Sequence, residues 1–208
     1  PRARATAGSR RSGENLTMDA YRISIKFFLT GPIDLEKAVH IFHRWIQEQS
    51  LSGHLLIDVA RYEHVSEGPK IVLVSHEANI SLDDTGGQWG LIYQRKRPID
   101  GTFDERLARI LAAAIEACSK LELEPELAAK FNTDKLELKI LDKLAAPNEP
   151  GTYEKAEPAV GDVLEKIWGK VAKIDRRVDA VQPFALSVRF ASAPGMMDLI
   201  ERSAVAAT

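Results

Sequence analysis

Between residues 54 and 97 the sequence runs HLLIDVARYEHV, SEGPK, IVLVSHEANISLD, DTGGQ and WGLIYQRKR. Three strand-like runs are joined by two short glycine-containing turns, which is the pattern of an antiparallel meander. An antiparallel sheet must bury at least one face, so the meander demands a second layer from the flanking sequence. The flanks supply it. Tyr21, Ile23, Ile25, Phe27 and Leu29 alternate with Arg22, Ser24 and Lys26, a half-buried strand ended by Gly31-Pro32. Asp34 is placed to cap a helix in which Leu35, Ala38, Val39, Phe42, Trp45 and Ile46 form one apolar stripe.

After the meander, Thr102 and Glu105 make a capping box for a long helix buried through Leu107, Ile110, Leu111, Ala114, Ile115, Cys118 and Leu121. Leu136, Leu138 and Ile140 alternate with charged residues as a fifth strand. Residues 145–158 hold three prolines and one glycine and read as a surface connection or hinge. Val160, Val163, Leu164, Ile167, Trp168 and Val171 predict a third helix, and Phe184, Leu186, Val188 and Phe190 a sixth strand. Residues 191–208 are expected as a tail or a short helix through Met196, Met197, Leu199 and Ile200.

The expected class is therefore α+β: a mixed, largely antiparallel sheet of about six strands with three helices packed on one face. The order β-α-β-β-β-α-β-α-β is also compatible with ferredoxin-like split units. A chain of 208 residues, 45% hydrophobic and 28% charged, fits one globular domain over residues 18–190. Residues 1–17 carry Arg2, Arg4, Arg10 and Arg11 and almost no apolar side chains, so a disordered basic tail is expected, with Met18 as an alternative start. Its Arg- and Ser-rich, acid-poor composition is shared with organelle transit segments. One cysteine excludes an intrachain disulfide framework, and no apolar run is long enough to span a bilayer. A cytoplasmic protein without a membrane partner is the expectation.

Strand alternation divides the meander into two faces. Leu55, Ile57, Val59, Val72, Val74, Ala78, Ile80, Leu82, Trp89, Leu91 and Tyr93 are expected on the core side. The second face would carry His54, Leu56, Asp58, Ala60, Tyr62 and His64, then Ile71, Leu73, Ser75, Glu77 and Asn79, then Ile92, Gln94 and Lys96. With turns near Glu67-Gly68 and Thr85-Gly86, Asp58 falls opposite Glu77 and Glu77 opposite Gln94. Two opposed carboxylates would raise one pKa or share a metal ion. Asp58, Glu77, His76 and Arg95 are the resulting candidates for catalysis, and Asp58 and Glu77 the candidate metal ligands. A one-residue slip would dissolve this cluster. His76 would interrupt the core row between Arg61 and Arg95, where bonding to a carbonyl is the simplest role.

Other features have plainer explanations. His40 and His43 lie one helical turn apart, but no cysteine or carboxylate completes a zinc pattern. Cys118 falls within an apolar stripe and reads as core. Asp83-Asp84-Thr85-Gly86-Gly87 lacks the order of a P-loop or an EF-hand and reads as a hairpin loop. The chain has no Gly-x-Ser-x-Gly elbow and no His-Glu-x-x-His helix.

Three functions compete on this basis. The first is a non-catalytic module that self-associates or binds a protein partner through Leu56, Tyr62, Leu73 and Ile92 on the second face. The second is an enzyme or small-ligand or metal-binding protein built around Asp58, Glu77, His76 and Arg95, with His64 nearby. The third is a nucleic-acid binder through Arg95, Lys96 and Arg97, against which the net charge of −2 weighs. The first is the leading expectation. No cofactor is selected by any spacing in the chain.

Overall fold

The computed structural model describes residues 20–179 and 181–207. The stretch 1–17, expected as a basic tail, lies outside the described residues. The elements run β1 (Ile23–Leu29), α1 (Leu35–Glu48), β2 (Leu56–Arg61), β3 (Pro69–Ser75), β4 (Ala78–Asp83), β5 (Gly90–Arg95), α2 (Phe103–Glu122), β6 (Phe131–Ile140), α3 (Pro150–Trp168), β7 (Val171–Arg176), β8 (Phe184–Phe190) and α4 (Met196–Ala206). The class is α+β, and every strand pairing is antiparallel in one sheet of order β2-β3-β4-β5-β1-β6-β8-β7. Eight strands and four helices among the described residues replace the six and three expected from the sequence.

Two of the helices connect strands that flank a single intervening strand, whereas α1 carries the chain from β1 to the sheet edge at β2. β5 and β6 are joined by α2 and straddle β1; β6 and β7 are joined by α3 and straddle β8. This split β-α-β arrangement lays the helices on one side of the sheet. Ile23, Ile25 and Phe27 of β1, Ile80 and Leu82 of β4, and Leu136 and Leu138 of β6 share one buried cluster with the apolar stripes of α1, α2 and α3. Local chemistry starts the first two helices as the sequence predicts. Asp34 Oδ1 accepts from Lys37 N–H, and Thr102 and Glu105 close a reciprocal capping box. At the far end Trp168 stacks on Phe190 with ring centres 4.4 Å apart and lies 6.1 Å from Phe27. Its indole N–H donates to Thr133 O at 2.9 Å, so the polar end of the ring is satisfied as well.

The run 71–83 is two strands, β3 and β4, folded back at His76-Glu77. Ser75 Oγ accepts from Ala78 N–H and donates to Ala78 O, both at 2.9 Å, closing the turn without glycine or proline. The fold-back pairs Leu73 with Ile80, which reverses the expected faces of the first half of the meander. Leu56, Ile71 and Leu73 lie in the core, while Val72 and Val74 turn to the other side. A bulge between Leu56 and Asp58 leaves Leu55 and Ile57 exposed.

The helix expected from Val160 begins ten residues earlier. Pro150 occupies its first turn, where no N–H is needed, and Pro158 is accommodated inside it. Residues 150–158 are therefore helix rather than a hinge. Val171 belongs to β7, a strand the sequence reading omitted. Residues 196–206 form a helix that packs on α2 and α3 and buries Met196 and Leu199.

Candidate functional site

Among the described residues the sheet's other face carries no helix, and its side chains are the alternate residues of each strand. Register arranges them in rows across the strands. One row runs Ser81, Ile92, Lys26, Glu137, Ser187, Asp175. The next sets Phe28 opposite Gly90, Lys135 opposite Arg189, and Arg189 opposite Lys173.

Buried charge lies at the centre of this face. Lys26 Nζ donates to Asp83 Oδ1 at 2.5 Å, with both side chains almost fully buried. The lysine reaches β4 by crossing β5 at Gly90, where a Cβ would lie 2.8 Å from Lys26 Cε and 2.4 Å from Phe27 O. Glycine is thus required by close approach rather than by a turn. Asp83 also accepts from Thr85 Oγ1 at 2.8 Å and Thr85 N at 3.2 Å, fixing the turn that enters Gly86-Gly87. Glu137 is buried between Lys139, 2.7 Å away, and Arg177, which also donates to it. Burial works against ionisation of Glu137, but those two cations outweigh it and hold the carboxyl below its usual value.

Above these pairs lies a polar basin of about 470 Å³. Five cations line it (Lys26, Lys135, Lys139, Arg177 and Arg189) against two carboxylates, Asp83 and Glu137. A shallower hollow of about 250 Å³ adjoins it at Phe28, Gln88 and Lys135 and runs toward Gly31 and Trp89. The Lys135 ammonium lies 4.7 Å from the centre of the Phe28 ring, and Lys26 lies 5.5 Å from it on a cation–π contact of its own. The basin has the size of a small-ligand site and an excess of positive charge.

Of the residues singled out from the sequence, Glu77, His76 and Arg95 stay near one another around the β3–β4 turn, but Asp58 does not face Glu77. Asp58 pairs opposite Val74, and its carboxylate accepts from Val59 N–H. Glu77 sits in the β3–β4 turn and accepts from Leu55 N–H at 2.8 Å. The expected repulsion between them gives way to a different balance. Burial opposes the charge on Glu77, while the backbone N–H groups of Leu55 and Glu77, with His54 and His76 nearby, hold its carboxyl below the usual value. His76 is exposed beside Ile57, Lys96 and Arg97. Arg61 is bound to Glu36 and Glu63, away from that histidine. Arg95 Nε donates to Arg97 O. His40, His43 and His64 are exposed, and Cys118 is fully buried.

Of the expected interface, Leu56 and Leu73 are covered by the helical layer, Tyr62 is exposed at the β2 edge, and Ile92 lines the basin. Among the described residues no group of three His, Cys, Asp or Glu side chains is placed to hold a metal ion, and no helix is long and apolar enough to cross a membrane.

Comparison with known proteins adds nothing to this geometry: no protein-family model matches the chain, and no curated protein matches it. The site rests on its own chemistry.

The basin residues Lys26, Lys135, Glu137, Lys139 and Arg189 lie outside the meander and form no motif in the sequence. Their signal was present as the polar half of each alternating strand, Lys135, Glu137 and Lys139 between Phe131 and Ile140 above all. The signal lacked strand order, which puts residue 26 beside 137 and residue 135 beside 189.

Proposed function

We propose that the protein binds a small ligand on the helix-free face of its sheet, in the basin between the β4–β5 turn and β8. The observation that carries this is the pre-arranged buried charge beneath a concavity of ligand size. Binding is favoured over turnover because both acids of the basin are already engaged: Asp83 by Lys26 and Thr85, Glu137 by Lys139 and Arg177. A free general base within reach of a substrate is the usual requirement for acid–base chemistry. The small-ligand function expected around Asp58, Glu77, His76 and Arg95 is thereby moved some strands across the sheet.

The test is thermal unfolding of the full chain against a panel of small neutral, anionic and cationic compounds, repeated on Ser187→Trp. Ser187 is half-buried in the basin lining, so an indole there occupies the ligand's space. Stabilising compounds are expected to lose their effect in Ser187→Trp. Compounds that stabilise both proteins equally, or a panel with no effect on the parent, would refute ligand binding in the basin.

Self-association or partner binding has one observation in its favour, at a different place. Leu55, Ile57, Tyr62 and Val65 are exposed together on and beside the edge strand β2. A second copy pairing along that edge would cover them. Light scattering should then give a dimer that Ile57→Glu dissociates; a monomer at all concentrations would remove this possibility.

A further inference from the structure

Lys135 and Arg189 occupy directly opposed positions on β6 and β8, and Lys173 opposes Arg189 from β7. Directly opposed side chains have Cβ atoms about 4.5–5.5 Å apart, and like charges in that position destabilise a sheet. The remaining cations of the basin each have a carboxylate partner within the protein: Lys26 pairs with Asp83, and Lys139 and Arg177 share Glu137. Lys173 pairs with Asp175 at 2.9 Å. Lys135 and Arg189 are different. Among the described residues neither has a carboxylate within ion-pair distance, and Lys135 rests on the Phe28 ring instead.

From this we infer that Lys135 and Arg189 form an oxyanion clamp, and that the ligand of the basin carries a phosphoryl group held between them. The inference rests on the basin reading above and supplies its ligand class. A phosphoryl dianion offsets two facing cations, and its three oxygens accept from a guanidinium fork and an ammonium at once. The Phe28 ring lies directly beside Lys135 and the hollow toward Gly31 and Trp89 opens from there, so the rest of the ligand has one aromatic surface to lie on and room beyond it. The limited size of the basin favours a small phosphorylated molecule over a nucleic-acid strand, which would need a continuous basic track.

The experiment is titration calorimetry of the full chain with inorganic pyrophosphate at low ionic strength. One site per chain is expected, with affinity falling on the order of 10-fold for each cation removed in Lys135→Gln and Arg189→Gln. Lys96→Gln/Arg97→Gln removes two cations outside the basin and should leave the affinity unchanged. Absence of pyrophosphate binding overturns the inference, as does equal loss in the Lys96/Arg97 control. A single-stranded oligonucleotide that binds and is not displaced by pyrophosphate also overturns it, in favour of nucleic acid. If neutral compounds still lose their effect in Ser187→Trp while pyrophosphate does not bind, the basin stands and the phosphoryl clamp alone fails.

Discussion

Replacing Lys26 by Met tests whether the charge under the basin is a buried, mutually dependent pair. Methionine nearly conserves length and volume, so packing changes little and the loss is chiefly electrostatic. Asp83 would be left at 2% residue exposure with, among the described residues, only the two Thr85 bonds to satisfy it. Removing one member of a buried ion pair costs about 3–5 kcal/mol because the other is left uncompensated. In a chain of this size about 1 kcal/mol shifts the melting temperature by roughly 2–4 °C, so a fall of on the order of 10 °C is expected. Asp83→Asn should cost a similar amount by stranding Lys26. The double variant Lys26→Met/Asp83→Asn leaves no buried charge at this point and retains an acceptor for Thr85. It should recover most of the loss, to within about 2 kcal/mol of the parent. Urea unfolding of the four proteins gives the coupling energy directly. Single variants that each cost less than about 1 kcal/mol, with a double equal to their sum, would refute the buried-pair reasoning.

Three further outcomes follow from particular residues. Gly90→Ala places a methyl group 2.4 Å from Phe27 O, a backbone atom that cannot step aside, and displaces Lys26; a loss of about 3 kcal/mol in urea unfolding is expected, and a neutral result would contradict the close approach. Glu137 titrates lower in the folded chain than when unfolded, so its ionised form adds stability above the unfolded value of about 4.3 and that stability is lost as pH falls through the lower folded value. Denaturation midpoints at about pH 7 and about pH 3.5 should accordingly differ less in Glu137→Gln than in the parent, and equal pH dependence would show that the carboxyl is not held by Lys139 and Arg177. Burial pushes the Cys118 thiol well above its ordinary range, so a thiol reagent at about pH 8 should label the denatured chain and leave the native one untouched; rapid native labelling would place the thiol outside the core.

The sequence by itself determined the elements whose cause is local. β1 follows from alternation over Ile23–Phe27, α1 from an apolar stripe behind Asp34, and α2 from the Thr102–Glu105 box; each depends on neighbours within a few residues. Where the decisive interaction is not a standard local signal, the sequence misled. The β3–β4 turn is closed by Ser75 bonding to Ala78, and without a glycine or proline to mark it the faces of Leu56 and Leu73 were assigned in reverse. Pro150 and Pro158 looked like loop markers because proline opposes helix almost everywhere, yet the first turn tolerates it and packing of Ala156, Val160 and Val163 carries the helix past the second.

The basin was decided by tertiary structure alone. Each strand showed which of its residues were polar, since alternation is written in one dimension. Which strands lie side by side, and in what register, comes from how the helices pack and where the chain crosses. That packing sets Lys26 across Gly90 from Asp83 and Lys135 against Arg189, pairs separated by more than fifty residues of chain.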